Sequence, residues 1–390
     1  MIQIKRKEQC CGCSACESIC PVHCIQMKVD EEGFSYPAPD PVQCIECGAC
    51  VRVCPVENKK KSPDAAQYPD AFAAINRDEE TRRVSSSGGV FSLLAEQVLA
   101  DGGVVFGAVW DEGCRSVYHT GIESAADLHR MQGSKYLQSE IRSSYCEVRD
   151  HLRNGRQVLF SGTPCQVAGL KAFLGAVYEN LICVDLICHG APSPKVWRQY
   201  LMSCEQNHGC AVGSVSLRSK ITGWKGYSVE LTFADGHRQS ARNIDDYFMK
   251  AFLADVCLRP ACYACAFKGL ERDSDLTLAD FWGIERVVPE LDDDRGTSLV
   301  LLHSEKGHRV FARAAQNMDL RQVDAANALQ FNSAMTRSVS RPGERQGFFA
   351  DLDTMPFAEL VKTYVRPTPL WKRAAQKSLR ILKRMRSHNK

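Results

Sequence analysis

The chain has no apolar run approaching the roughly 18–20 residues that a membrane-spanning helix needs, so an integral membrane protein of the helical kind is not expected. Its start, MIQIKRKEQC, is basic, but no apolar stretch follows, and no secretory signal is legible. No G-x-G-x-x-G opens a helix after a strand, which leaves a Rossmann dinucleotide site unsupported. A charge surplus is lacking too: 49 Lys and Arg stand against 46 Asp and Glu, for a net charge of +3. Nine of those basic residues (Arg366, Lys372, Arg373, Lys377, Arg380, Lys383, Arg384, Arg386 and Lys390) fall in residues 366–390, where there is no acid. The body is therefore mildly acidic, which argues against nucleic acid as a partner. Hydrophobic and charged fractions of 44% and 24% are ordinary for a globular protein.

The abundance is in cysteine. There are twenty, and without a secretory signal so many point to a reducing, cytoplasmic setting with thiolates free for metal. Ten of them lie within residues 10–54. Two segments there repeat: Cys10-x-x-Cys13-x-x-Cys16-x-x-x-Cys20-Pro21 and Cys44-x-x-Cys47-x-x-Cys50-x-x-x-Cys54-Pro55. This is the spacing of bacterial two-cluster ferredoxins, in which the fourth cysteine of each run ligates the other cluster. Three thiolates at i, i+3 and i+6 can cap three iron corners of one 4Fe–4S cubane. The expected ligands are Cys10, Cys13, Cys16 and Cys54 for one cluster, and Cys44, Cys47, Cys50 and Cys20 for the other. A pair of zinc sites is the alternative, but zinc prefers paired C-x-x-C arms. Cys11 and Cys24 stand outside the pattern and read as spectators.

Residues 55–70, PVENKKKSPDAAQYPD, are polar and proline-bearing and read as a linker. The domain expectation is residues 1–57 as a ferredoxin-type unit, 58–69 as linker, 70–345 as a body, and 346–390 as a helical, basic tail. The body alternates strand-like and helix-like segments. Ala71–Ile75, Val104–Val109, Gln157–Ser161, Leu181–Ile187 and Ser298–His303 read as strands, Gly88–Ala100 as a helix, and Ser228–Phe233 with Gln239–Arg242 as a hairpin about Asp235-Gly236. The expected fold is a small βαββαβ-type ferredoxin-like domain followed by a mixed α/β, or α+β, body. An internal boundary is best placed near residues 203–213.

A second cysteine constellation lies in the body. Cys165 follows a strand, in Ser161-Gly162-Thr163-Pro164-Cys165-Gln166, where Thr163 can cap and Pro164 suits the first helical position. Cys188 ends another apolar strand, in Asp185-Leu186-Ile187-Cys188-His189-Gly190. If the two strands are parallel neighbours, both thiols lie at the sheet's carboxyl edge, where α/β sheets place their sites. Cys262 and Cys265 form a C-x-x-C pair. These four cysteines can hold a third 4Fe–4S cluster; a zinc site, or Cys165 as a lone reactive thiol, are the alternatives. Ser86, Ser87, Gly88 and Gly89 open a helix and make the best phosphate cradle, with Lys135, Arg218 and Lys220 as candidate counter-charges. A Ser-capped helix start is the plainer reading. His189 and Asp280 are candidate proton-handling residues, or a surface hydrogen-bonder and a turn cap.

These blocks, with Gln132-Gly133-Ser134-Lys135-Tyr136, Arg218-Ser219-Lys220, Gly223-Trp224 and Asp275 to Gly283 (DLTLADFWG), make residues 70–345 resemble the coenzyme F420 hydrogenase/dehydrogenase beta-subunit family. The resemblance implies an FAD in the body, a 4Fe–4S cluster on the four cysteines beside it, and transfer of electrons or hydride to a second substrate. The substrate differs between members, so deazaflavin use does not follow. The expected function is that of an iron–sulfur flavoprotein oxidoreductase, moving electrons between a ferredoxin-like redox partner and a small-molecule acceptor. The alternatives are a non-catalytic subunit that relays electrons to a partner enzyme and, more weakly, a redox sensor. In the tail, Trp371, Ala375, Ser378, Leu382 and Met385 follow helical spacing with basic residues between them, a pattern suited to peripheral contact with an anionic membrane face or to a frayed, solvated tail.

Overall fold

The computed structural model of the protein describes residues 1–59 and 68–365. The basic tail read at 366–390 and most of the linker lie outside the described residues.

The N-terminal unit contains two single-turn helices, Ala15–Ser18 and Ala49–Arg52, on either side of an antiparallel pair, β1 (Ile25–Val29) and β2 (Ser35–Pro39). Each short helix carries the third cysteine of its run, so the helix turn sets how that thiol faces. Of the expected βαββαβ order, the described residues show the central αββα part.

The body follows with β3 (Asp70–Asn76), β4 (Val104–Trp110), β5 (Val117–Ile122), β6 (Val158–Ser161), β7 (Leu181–Leu186), β8 (Val212–Ser219), β9 (Ser228–Phe233), β10 (Arg238–Arg242), β11 (Leu276–Asp280), β12 (Ser298–Leu302) and β13 (Met318–Val323). Eight of these make one mixed sheet in the order β13-β3-β12-β11-β7-β6-β4-β5. Its centre, β11-β7-β6-β4, is parallel, and the flanking pairs are antiparallel. The mixed α/β body expected from the sequence is the one found. Strands β8, β9 and β10 form a separate antiparallel sheet that packs on the helix Pro194–His208 through Leu217, Val229, Leu231 and Phe233.

The parallel strands are buried on both faces, as their continuous apolar runs require. Val104, Phe106, Val158, Phe160, Leu181 and Cys183 pack to one side, and Val105, Leu159, Ile182 and Val184 to the other. The first side is covered by the helices Ser144–Arg153 and Pro164–Leu174, and the N-terminal unit is part of the same core: Ile2, Cys13, Ala15 and Val53 join Tyr145, Val148, Leu170 and Phe173. Among the described residues no helix is long and apolar enough to cross a membrane.

A buried ion pair ties the N-terminal unit to the far end of the chain. Arg345, 1% exposed, grips the Glu32 carboxylate with both terminal nitrogens at 2.7 and 2.6 Å and donates to the Leu258 carbonyl. Taking one partner from a buried pair leaves the other charge stranded, at a cost of about 3–5 kcal/mol. Glu32→Ala is therefore expected to lower the unfolding free energy of the anaerobic holoprotein by about that much, and Glu32→Met with Arg345→Met to recover most of it. Denaturant titration reads both; a Glu32→Ala protein as stable as the parent would show the pair to be idle.

Candidate functional site

Three groups of cysteines can be followed from the chain into space. Cys10, Cys13, Cys16 and Cys54 line one void, and Cys20, Cys44, Cys47 and Cys50 line another. Each holds about 330 Å³ of empty space, solvent at its mouth included. The membership matches the crossed assignment, with the fourth cysteine of each run at the other run's void. Among the described residues no three Cys, His, Asp or Glu side chains gather about one point as the ligands of a single metal ion would. Zinc needs its sulfurs about 2.3 Å from one centre. A cubane offers each thiolate its own iron corner, so cysteines ringing a void suit it better.

The two voids differ in setting. The inner one, with Cys10, is packed against the body. The outer one carries Cys47, which is exposed, and its lining includes the exposed apolar Met1, Val22 and Ile45.

Strands β6 and β7 are parallel neighbours, and Cys165 and Cys188 lie just past their carboxyl ends. Cys165 sits in the first turn of the helix Pro164–Leu174, whose start is locked by Gln166: its side-chain oxygen accepts from the Thr163 N–H and hydroxyl, both at 3.0 Å. Cys262 and Cys265 come from the short helical turn Pro260–Ala264 and the residue after it. All four thiols line one cavity of about 420 Å³.

Burial, together with charge on Cys262, Cys165 and Cys265, raises the Cys188 pKa. Burial pushes Cys262 up to about 12 and raises Cys265. Contact with Cys11, then burial, raises Cys165. Bare thiols crowded in this way stay protonated, and a cationic iron core would take them as thiolates with release of protons. Two cations are at hand: Lys268 Nζ donates to the Cys188 and Ala334 carbonyls, and Arg272 lines the same cavity.

A second cavity, about 310 Å³, opens at the carboxyl ends of the parallel strands. It shares Ser134 to Leu137, Thr163, Gln166, Leu186, Ile187 and Asp280 with the first, so the two are continuous. Ser86, Ser87 and Gly89 line it at the start of the helix Val90–Ala100, whose N-terminal dipole faces it. Gly107, Gly133 and Gly162 line it as well, leaving backbone open to a ligand. Together the cavities fall in the range of roughly 300–1,000 Å³ typical of cofactor sites.

The candidate flavin residues are not all brought there. Lys135 lines both cavities, and its amine is held by the Met131, Gln132 and Gly133 carbonyls; desolvation lowers its pKa to about 7. Arg218 lines the cysteine cavity, paired with Asp280 at 2.9 Å. Gly88 serves packing, since a Cβ there would meet the Ala74 carbonyl at 2.3 Å. Lys220 is absent from both linings; its amine donates to the Arg82, Ser87 and Arg295 carbonyls and pins the serine loop from behind.

His189 and Asp280 both face the cysteine cavity. His189 Nε2 is 2.6 Å from Asp255 Oδ1. Asp280 is taken up on both oxygens, by the Trp224 indole and by Arg218, and Trp224 stacks on Trp282 at 5.1 Å. The Arg218, Trp224 and Asp280–Trp282 blocks, far apart in sequence, thus build one wall.

Other residues at the site have no motif of their own. His119 lines the second cavity, locked between Ser139 Oγ and the Ser161 carbonyl, and burial lowers its pKa to about 4. Cys11, read as a spectator, lies between Cys13 and Cys165 and lines both the inner void and the larger cavity. The Cys10-Cys11 doublet was its only trace in the sequence.

Comparison with known proteins agrees with these sites. Residues 9–58 match the 4Fe-4S dicluster domain. Residues 155–327 match the family described as the C terminus of the coenzyme F420 hydrogenase/dehydrogenase beta subunit. Among solved structures, a chain of the F420-reducing [NiFe] hydrogenase complex from Methanosarcina barkeri, studied by xenon derivatisation, is similar at 16% identity and a TM-score of 0.45, over 70% of this chain and 93% of that one. No curated protein matches. The family that the motifs resemble is the one that these matches return.

Proposed function

For an iron–sulfur electron-transfer protein of the coenzyme F420 hydrogenase/dehydrogenase beta-subunit type, we propose an FAD-dependent oxidoreductase that exchanges electrons with a protein partner and with a small organic acceptor. The observation that carries this is the convergence of Cys165, Cys188, Cys262 and Cys265, from three separate segments, on a cavity continuous with the one at the sheet's carboxyl edge. On this reading those four hold a third 4Fe–4S cluster, and Ser86, Ser87, Gly89 and Lys135 hold the flavin phosphates. When bound, clusters handle electrons singly and a flavin handles them singly or in pairs, which couples a one-electron partner to a two-electron substrate.

The chain's own residues supply the rest. Tyr136, Phe252 and Trp282 wall the cavity with apolar surface, and Lys268 and Arg272 offset the negative charge of a thiolate-bound cluster. His189, oriented by Asp255, is the proton-holding group nearest Cys188. The protein partner meets the outer void, where Cys47 is exposed and Met1, Val22 and Ile45 make an apolar rim.

Anaerobic reconstitution with iron, sulfide and FAD tests the reading. About one FAD and about twelve irons per chain are expected, at four irons per cluster. Protein reduced by a bacterial ferredoxin should then be reoxidised by at least one member of a panel of quinones, enones and deazaflavins. Absence of stoichiometric flavin would defeat the flavin claim. Reoxidation by a protein partner alone would make the chain a relay.

A further inference from the structure

Four arginines are buried in the body: Arg82, Arg218, Arg259 and Arg345. Three face a carboxylate, namely Asp293, Asp280 and Glu32. Arg259, 1% exposed, has no carboxylate within ion-pair distance among the described residues. Its partners are the Cys10 and Ser35 carbonyls at 2.7 and 2.9 Å, the Gln138 side-chain oxygen at 2.9 Å, and the Cys10 sulfur at 3.5 Å. Tyr36 and Phe34 present their rings to it at 4.4 and 5.6 Å. A buried cation with only neutral partners costs several kcal/mol. Its missing counter-charge is the anionic cluster that Cys10 would carry.

The approach is built in. Gly12 sits at φ +72°, and a Cβ there would meet Gln138 Nε2 at 2.4 Å and the Arg259 guanidinium at 2.7 Å. Only glycine lets the two side chains close on this loop. Gln138 in turn donates to the Cys11 and Gly12 carbonyls. The outer void has no equivalent. Cys50 accepts the Ile2 N–H at 3.2 Å and Cys24 lies 3.4 Å from Cys20, both uncharged, while Arg52 is exposed and screened by water. Arg259 is also three residues before Cys262, and its charge reaches Cys165 and Cys262.

We propose that Arg259 is a positioning residue that holds up the reduction potential of the cluster on Cys10, Cys13, Cys16 and Cys54, making this buried cluster the electron's way into the body. A full charge in a low-dielectric site stabilises the reduced, more negative cluster far more than a neutral donor does. Burial alone would otherwise make that cluster the harder of the two to reduce. The inference rests on the cluster assignment for these four cysteines.

The test is an anaerobic EPR redox titration of full-length holoprotein, with the outer cluster's signal identified by its change in a Cys47→Ser variant. Arg259→Gln should lower the inner cluster's midpoint by at least 59 mV, a tenfold change for a one-electron couple, and leave the outer one in place. Arg259→Lys, which keeps the charge but not the planar fork, should keep most of the potential. Gln138→Met, which loosens the loop but keeps the charge, should not move it. Equal shifts in Arg259→Gln and Arg259→Lys, or none in either, would overturn the proposal. Iron and sulfide counted on the same samples separate this from failure of the assignment: about eight of each from the N-terminal unit must remain.

Discussion

Replacing Cys262 by serine is expected to take the protein from about twelve irons to about eight, with acid-labile sulfide falling in step, at four irons per cluster. Electron exchange between the N-terminal clusters and any flavin should stop, while reduction of the two N-terminal clusters by dithionite proceeds as before. The reason is geometric. Cys262 Sγ accepts the Ala191 N–H at 3.3 Å, and its neighbour Arg259 is fixed on Cys10, so the thiol cannot shift to let another ligand take its place. Cys11 is the one spare thiol at hand, since it lines the same cavity beside Cys165. Cys165→Ser is therefore the milder variant, because Cys11 stands where a substitute ligand would be needed. Cys165→Ser with Cys11→Ser should match Cys262→Ser in iron lost. A Cys262→Ser protein that keeps about twelve irons would place the additional iron elsewhere.

How much of this could be read from the chain depends on the length scale of each signal. The N-terminal ligands were legible because they repeat at fixed local spacing, and proline closes each run. The central strands were legible because they are buried on both faces and read as apolar runs: Leu181–Leu186 and Ser298–Leu302 lie within one residue of where the pattern put them. The third cysteine set was legible only as a hypothesis, since what joins Cys165, Cys188 and Cys262 is the adjacency of β6 and β7, which no local pattern records.

The residues that escaped share a cause. Arg259, Gln138 and His119 act through contacts more than twenty residues away in sequence, and isolated basic or polar residues look like solvated surface until burial is known. Lys220 shows the converse. It looked like a phosphate ligand beside Arg218, yet strand alternation sends neighbouring side chains opposite ways, and its amine ends on three backbone carbonyls. The Trp-containing block after β11 carried family information without disclosing its role, which is to stack on Trp224 and hold Asp280 against Arg218.

FAD affinity should fall as pH rises above about 7, and Lys135 should be the cause. Desolvation holds the free protein's Lys135 near that value, so the amine is largely neutral at pH 8–9. A bound pyrophosphate stabilises the ammonium form and raises its pKa, so binding takes up a proton wherever the pH lies between the free and bound values. Linkage then fixes the sign: affinity is full below about pH 7 and weakens by up to about tenfold per unit above it, until the bound pKa is passed. Lys135→Met should flatten the profile. At pH 6 it should also weaken binding by about ten- to a hundredfold, the equivalent of one charge-assisted hydrogen bond of about 1.5–3 kcal/mol. Flavin fluorescence quenching, titrated from pH 6 to pH 9, reads both effects. Lys220→Met makes the control, because its amine points away from both cavities and its pKa is likewise lowered to about 7 by burial. A wild-type profile that stays flat, or one that Lys220→Met flattens instead, would move the phosphates away from the helix start at Val90 and leave Lys135 a structural clamp on the Met131–Gly133 turn.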